Sequence, residues 1–164
     1  MMIFSNLNQS SIASLLGNHG LKIHHVPLNN DIPGSFWGNP EAGLINNQLY
    51  VRADTPIHSL LHEASHFICM PAERKKYLHT DAGGDYDEEN AVCYLQILLA
   101  DQIPGYSADI CMEDMDSWGY SFRLGSARRW FEEDAMDARK TLTRIFHEGG
   151  RNLLKVHGST IHLK

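Results

Sequence analysis

The 164-residue sequence predicts an α+β fold in a single domain over residues 1–164: a small antiparallel N-terminal sheet packed on a helix, then a helical C-terminal half. Three observations lead there. Apart from a weak signal near the end of the sequence, strand-like segments are short and end before residue 53. From residue 56 onward, apolar residues recur at helical spacing. Strands do not alternate with helices, as a parallel βαβ sheet would require. The length is that of one ordinary domain with a real core.

The elements follow in order. "QSSIASLLGNHG" (9–20) reads as a short helix stopped by Gly17 or Gly20, and "LKIHHVPL" (21–28) as a strand ending near Pro27. "NNDIPGSFWGNPEAG" (29–43), dense in Asn, Pro and Gly, is loop. "LINNQLYVR" (44–52) reads as two strands around a tight turn at Asn46-Asn47. In "ADTPIHSLLHEASHFICMP" (53–71), Asp54 or Thr55 can cap a helix, Pro56 suits its first turn and Pro71 ends it. Its Leu60, Leu61, Ala64, Phe67 and Ile68 share the core face. The polar stretch 72–87 is broken by Gly83-Gly84, and a second helix runs over 88–103 to Pro104-Gly105. Residues 107–118 read as a short third helix, and 125–150 as one long helix capped by Ser126 and stopped by Gly149-Gly150. A weak strand signal lies at 153–157.

Composition narrows the function. Net charge is −6, and basic residues cluster only in short runs such as Lys75-Lys76 with the adjoining Arg74, and Arg128-Arg129, which argues against nucleic-acid and anionic-membrane binding. No apolar run reaches membrane-spanning length, and the N-terminus lacks the pattern of a secretory signal. Cys69, Cys93 and Cys111 are odd in number and lack paired metal spacing, so reduced thiols in a cytoplasmic protein are expected.

The chemistry concentrates in "HEASH" (62–66). His62 and His66 stand one helical turn apart on one face and can offer two imidazole nitrogens to one metal. Glu63 lies about 100° further round the helix, out of reach as a ligand but placed to act on water as a base. With this chain's own His and Glu frequencies, such a match arises by chance in about 3% of sequences of this length. A catalytic zinc site wants three protein ligands. The third candidate lies early in the second helix, where Glu88 and Glu89 are adjacent and the helix is too apolar all round for its pattern to choose between them.

"HSLLHEASHF" followed by "EENAVCYLQILLA" resembles the zincin metallopeptidases of the gluzincin type, and most of all the minimal ImmA/IrrE-like proteins, over about residues 44–100. The resemblance implies a zincin-like fold, a Zn²⁺ ion held by His62, His66 and Glu89, and Glu63 as the catalytic base. It also implies a peptide or protein substrate, held by strand addition along Gln48–Arg52. The alternative is an edge covered by the 29–43 loop, with Phe36 and Trp37 over it. Larger gluzincins place an Asp four residues after the Glu to orient a ligand histidine. Here that position is Cys93, so the orienting group must come from elsewhere. "HEASHFICMPAERKKY", with the later acidic helix and a long closing helix, also resembles the elongation factor P hydroxylase family. That resemblance implies Fe²⁺ in a two-histidine, one-carboxylate triad and hydroxylation of a protein. A third class is a non-catalytic module, with a metal tying two helices or a pocket holding a peptide.

Other residues carry weaker expectations. His58 completes a row with His62 and His66 but is expected to be a solvated first-turn residue or an outer contact. His79, Asp81, Asp85 and Asp87 read as a solvated loop. Tyr106, Tyr120, Arg123 and His147 are candidates for holding an oxyanion. Trp118, Phe122, Trp130 and Phe131 read as core, and Cys69 as a small packing residue.

Overall fold

The computed structural model describes residues 1–152, and the strand signal at 153–157 lies outside them. Among the described residues the chain is α+β, with seven α-helices and a three-stranded sheet. After a 3₁₀ turn at Phe4–Asn6 come α1 (Gln9–Gly17), β1 (Lys22–His25), β2 (Gly43–Ile45) and β3 (Gln48–Val51). Then follow α2 (Ile57–Cys69), α3 (Ala72–Lys75), α4 (Tyr86–Ala100), α5 (Ala108–Trp118), α6 (Ala127–Glu133) and α7 (Met136–Glu148). No helix among them is long and apolar enough to cross a membrane.

The sheet is mixed rather than antiparallel. Its order is β1-β3-β2, with β2 antiparallel to β3 across the Asn46-Asn47 turn and β1 parallel to β3. The tight turn dictates the first pairing. The long connection over 26–42 carries the chain back before β2 begins, so β1 and β3 run the same way. The strand expected to offer a free edge to substrate, Gln48–Val51, is therefore the central one and is paired on both sides. Strand addition along it is excluded. The outer edge of β2 is closed as well: Leu44 N–H donates to Gly34 O at 3.2 Å, and Asn46 N–H to Leu78 O at 2.8 Å. Leu44 O accepts from Thr80 N–H at 2.8 Å.

Gly43 makes that closure possible. A Cβ there would stand 1.8 Å from Pro33 O, a backbone atom that cannot swing aside. Gly43→Ala should lower stability by about 1–3 kcal/mol, the range for overpacking, seen as a lower urea midpoint at unchanged slope.

Leu49 and Val51 of β3 are fully buried and face α2. On α2 every residue but His62 is buried, and α4 is buried along nearly its whole length between α2, α5 and α7. Neither Asp54 nor Thr55 caps α2. Asp54 grips the Arg52 guanidinium at 2.8 Å, and Thr55 Oγ1 accepts from Arg52 N–H at 2.9 Å. The first amide of α2 is met by the chain's own start, Ile57 N–H donating to Met2 O at 3.0 Å. The long helix expected over 125–150 is two helices. Asp134 leaves helical geometry where its carboxylate takes both arms of Arg123, and α7 restarts at Met136.

Candidate metal centre

Two helices build the site. On α2, the i, i+4 spacing sets His62 and His66 one turn apart, with their Nε2 atoms 3.2 Å from each other. On α4, Asp85 caps the start by accepting from Glu88 N–H at 2.9 Å, which places the next residue, Glu89, in the first turn facing α2. Its Oε1 lies 3.2 Å from His62 Nε2 and its Oε2 3.2 Å from His66 Nε2. The ligand atoms all lie within 4.8 Å of one another.

Glu88, the competitor, turns the other way and pairs with Arg74 of α3. The left-handed Gly84 sits against that carboxylate, where a Cβ would stand 2.1 Å from Glu88 Oε2. The two adjacent glutamates thus have separate tasks, one tying α4 to α3 and the other completing the histidine pair.

The donor set fits a divalent cation. A tetrahedral ion with bonds of about 2.0–2.1 Å keeps its ligand atoms about 3.3–3.4 Å apart, close to the spacing here. Electrostatics agree. Burial opposes ionisation of Glu89, but hydrogen bonds and charge from His62 and His66 override it and hold the carboxyl well below the usual range. Burial likewise disfavours charge on His62, yet its pKa is raised well above the ordinary value, with the ionised Glu89 carboxylate hydrogen-bonded to it as the charged partner. A field that keeps a proton on a buried imidazole also favours a metal ion, and exchange of one for the other releases the proton.

The orienting group absent at position 93 is Gln96, fully buried and two turns beyond Glu89 on α4. Its Nε2 donates to His58 O at 2.8 Å and to the Tyr120 hydroxyl at 3.3 Å. Its Oε1 therefore faces His62 Nδ1 at 3.0 Å and accepts that N–H, leaving Nε2 of His62 as the donor to an ion. Sequence reasoning passed over Gln96. The available signal was a lone amide in an apolar run, seven residues from Glu89 and so on the same face. Gln96→Leu should keep the fold and weaken metal binding about 10–100-fold, measured by competition with a chelating dye.

Glu63 lies in the same cleft, only 8% exposed, with no hydrogen bond to any described residue. Burial raises its pKa against the opposing charges of His62 and His66. The cleft has a volume of about 390 Å³ and is walled by Trp37, Trp118 and Tyr120. Glu41, from the 29–43 loop, also lines it and was not anticipated.

Of the oxyanion candidates, Tyr120 alone reaches this cleft. Tyr106 donates to Asp114 inside the core at 3.0 Å, Arg123 is committed to Asp134, and His147 stands on the outer face of α7. His58 is buried, not solvated. Its Nδ1 lies 3.1 Å from the Tyr120 hydroxyl, and burial pushes its pKa down to about 3. His79, Asp81, Asp85 and Asp87 are exposed, as a solvated loop should be. Trp130 is core and Phe122 and Phe131 flank it, but Trp118 opens onto the cleft. All three cysteines are free and buried; burial pushes Cys69 up to about 12, in keeping with a packing role.

No protein-family model, curated protein or solved structure matches this chain.

Proposed function

We propose that the protein is a metal-dependent hydrolase of zincin type acting on a peptide or protein. His62, His66 and Glu89 hold Zn²⁺, and Glu63 is the base. The supporting observation is the convergence of two imidazoles and a carboxylate at 3.2 Å spacing, with a second, unpaired carboxylate facing the same cleft.

A bound Zn²⁺ supplies Lewis acidity and a water whose pKa is about 7. The chain's own residues do the rest. His62, His66 and Glu89 hold the ion, and Gln96 keeps His62 in the tautomer that binds it. Glu63 takes a proton from the attacking water on its carboxylate and returns it to the leaving amide nitrogen. Its burial strengthens it as a base by destabilising its charged form. Trp37, Trp118 and Tyr120 wall the cleft and limit the water around the reacting bond. Burial keeps the Tyr120 phenol protonated, so it remains a hydroxyl throughout.

Two histidines and one carboxylate are also the donor set of Fe(II) oxygenases, which favours a hydroxylase as the second reading. Metal analysis of protein purified without added metal separates the two. Close to one equivalent of zinc, with cleavage of an unstructured protein substrate, is the expected result. Iron with oxygen consumption, or no bound metal at all, overturns it.

A further inference from the structure

We propose that the cleft beside the histidines is a subsite for a cationic side chain, in which Glu41, alongside Trp37 and Trp118, receives the ammonium or guanidinium of a substrate Lys or Arg. The inference rests on the peptide-hydrolase reading above and specifies its substrate.

The charge of the cleft comes first. Apart from His62 and the phenol of Tyr120, its ionisable lining residues are Glu41, Glu63 and Glu89, and among the described residues no Lys or Arg lines it. His62, His66 and a metal ion answer Glu89. Among the described residues Glu41 has no ion pair, and only the charge of His62 acts on it from across the cleft. It is half-buried, and its one side-chain hydrogen bond is from Trp118 Nε1 to Oε1 at 2.7 Å, which leaves Oε2 for an incoming donor. Its carboxyl pKa is raised, chiefly by desolvation, as expected of a carboxylate that has lost water without gaining a cation. Glu63 is a second such group, nine-tenths buried, without a hydrogen bond and facing the same space.

The walls fit the same ligand. Trp37 is 77% exposed at the cleft mouth, its ring braced edge-on by Phe36 at 4.9 Å between centroids. Trp118 is partly exposed across the same cleft. Indole faces bind cations, and the methylene stem of Lys or Arg packs on apolar surface while its head reaches a carboxylate. A purely apolar side chain would leave Glu41 buried further and unpaired, and an acidic one would meet two unpaired carboxylates.

The subsite is also fixed in place. Ala42 N–H donates to Ser59 Oγ at 3.0 Å, so the backbone next to Glu41 is bound to α2 three residues before His62. Glu41 lines the same cleft as His62 and Glu63, which puts the cationic group in the space of the reacting bond rather than at a remote site.

The test is calorimetric binding of blocked five-residue peptides, acetylated and amidated, identical except for Lys, Arg, norleucine or Glu at the centre. Binding is measured to the protein with and without one equivalent of zinc. Lys and Arg peptides should bind about tenfold tighter than norleucine, and Glu weakest. Glu41→Gln should bring Lys down to norleucine while zinc uptake stays intact. Equal affinity for Lys and norleucine, retention of the preference by Glu41→Gln, or no binding of any peptide overturns the proposal. An unblocked norleucine peptide is the last arm: if it alone binds tightly, the cation is a chain terminus and the side-chain assignment is wrong. Because binding rather than cleavage is read, an inactive protein that still prefers Lys defeats the hydrolase reading and leaves the subsite standing.

Discussion

Glu63→Gln should lower kcat for peptide hydrolysis by about 10²–10⁴-fold while leaving zinc content and thermal stability unchanged. The substitution keeps the size of the side chain and removes its ability to take a proton. Glu63 makes no hydrogen bond to any described residue, so an amide in its place breaks no packing contract with the fold. Zinc uptake serves as the control, because Glu63 is not part of the converging group His62, His66 and Glu89. Full hydrolysis by the variant would remove the base from the mechanism and turn attention to the hydroxylase reading.

His66→Ala should lose metal binding altogether under conditions where the native protein is saturated. The loss should exceed the 10–100-fold expected of Gln96→Leu, since a ligand and not its orienting partner is removed. Thermal unfolding offers a second readout. Zinc at about 1,000 times its Kd should stabilise the native chain by about 4 kcal/mol, which for this size is on the order of 10 °C in Tm. The variant should show no zinc-dependent rise. Without metal it should be somewhat less stable than native, because a buried side chain and its 3.2 Å contact with Glu89 are lost, offset in part by removal of the unpartnered Nδ1. A zinc-dependent shift of native size in His66→Ala would remove His66 from the site.

The parts of the site carried on one helix were legible in the sequence. His62 and His66 meet because a helix has a fixed pitch, and no knowledge of tertiary structure is needed to place them. Glu89 needed the packing of α2 on α4, and periodicity could not separate it from Glu88 because α4 is buried on all sides. What separates them is three-dimensional: Arg74 draws one carboxylate away, and the histidines draw the other in. Gln96 and Glu41 were hidden for related reasons. A buried amide is recognisable as an orienting group only once its three partners are known. Glu41 sits in a loop, where sequence pattern carries little information about direction.

The sheet shows the same limit. The Asn46-Asn47 turn specified the β2–β3 hairpin locally, but which flank of β3 would receive β1 depends on the path of the long loop over 26–42. The break at Asp134 was invisible because "FEEDAMDAR" has strong helix formers on both sides, and only the Arg123 partner makes leaving the helix favourable.

The segment that closes the edge of β2 is held through its backbone. Gly34 O, the Ser35–Gly43 bridge and the Ala42 amide make the attachments. The side chains of Phe36 and Trp37 take no part in them, and Glu41 adds only its bond from Trp118 Nε1, away from the sheet edge. This separates heritable stability from heritable selectivity. Substitutions at those positions can change which substrates the cleft prefers without loosening the sheet edge or disturbing the ligands. The wall is therefore the part of the molecule most open to divergence. Two descendants of such a chain could keep the same histidines, glutamates and core and yet act on different targets. A library randomised at positions 36, 37 and 41 should accordingly yield many well-folded members that differ in preference.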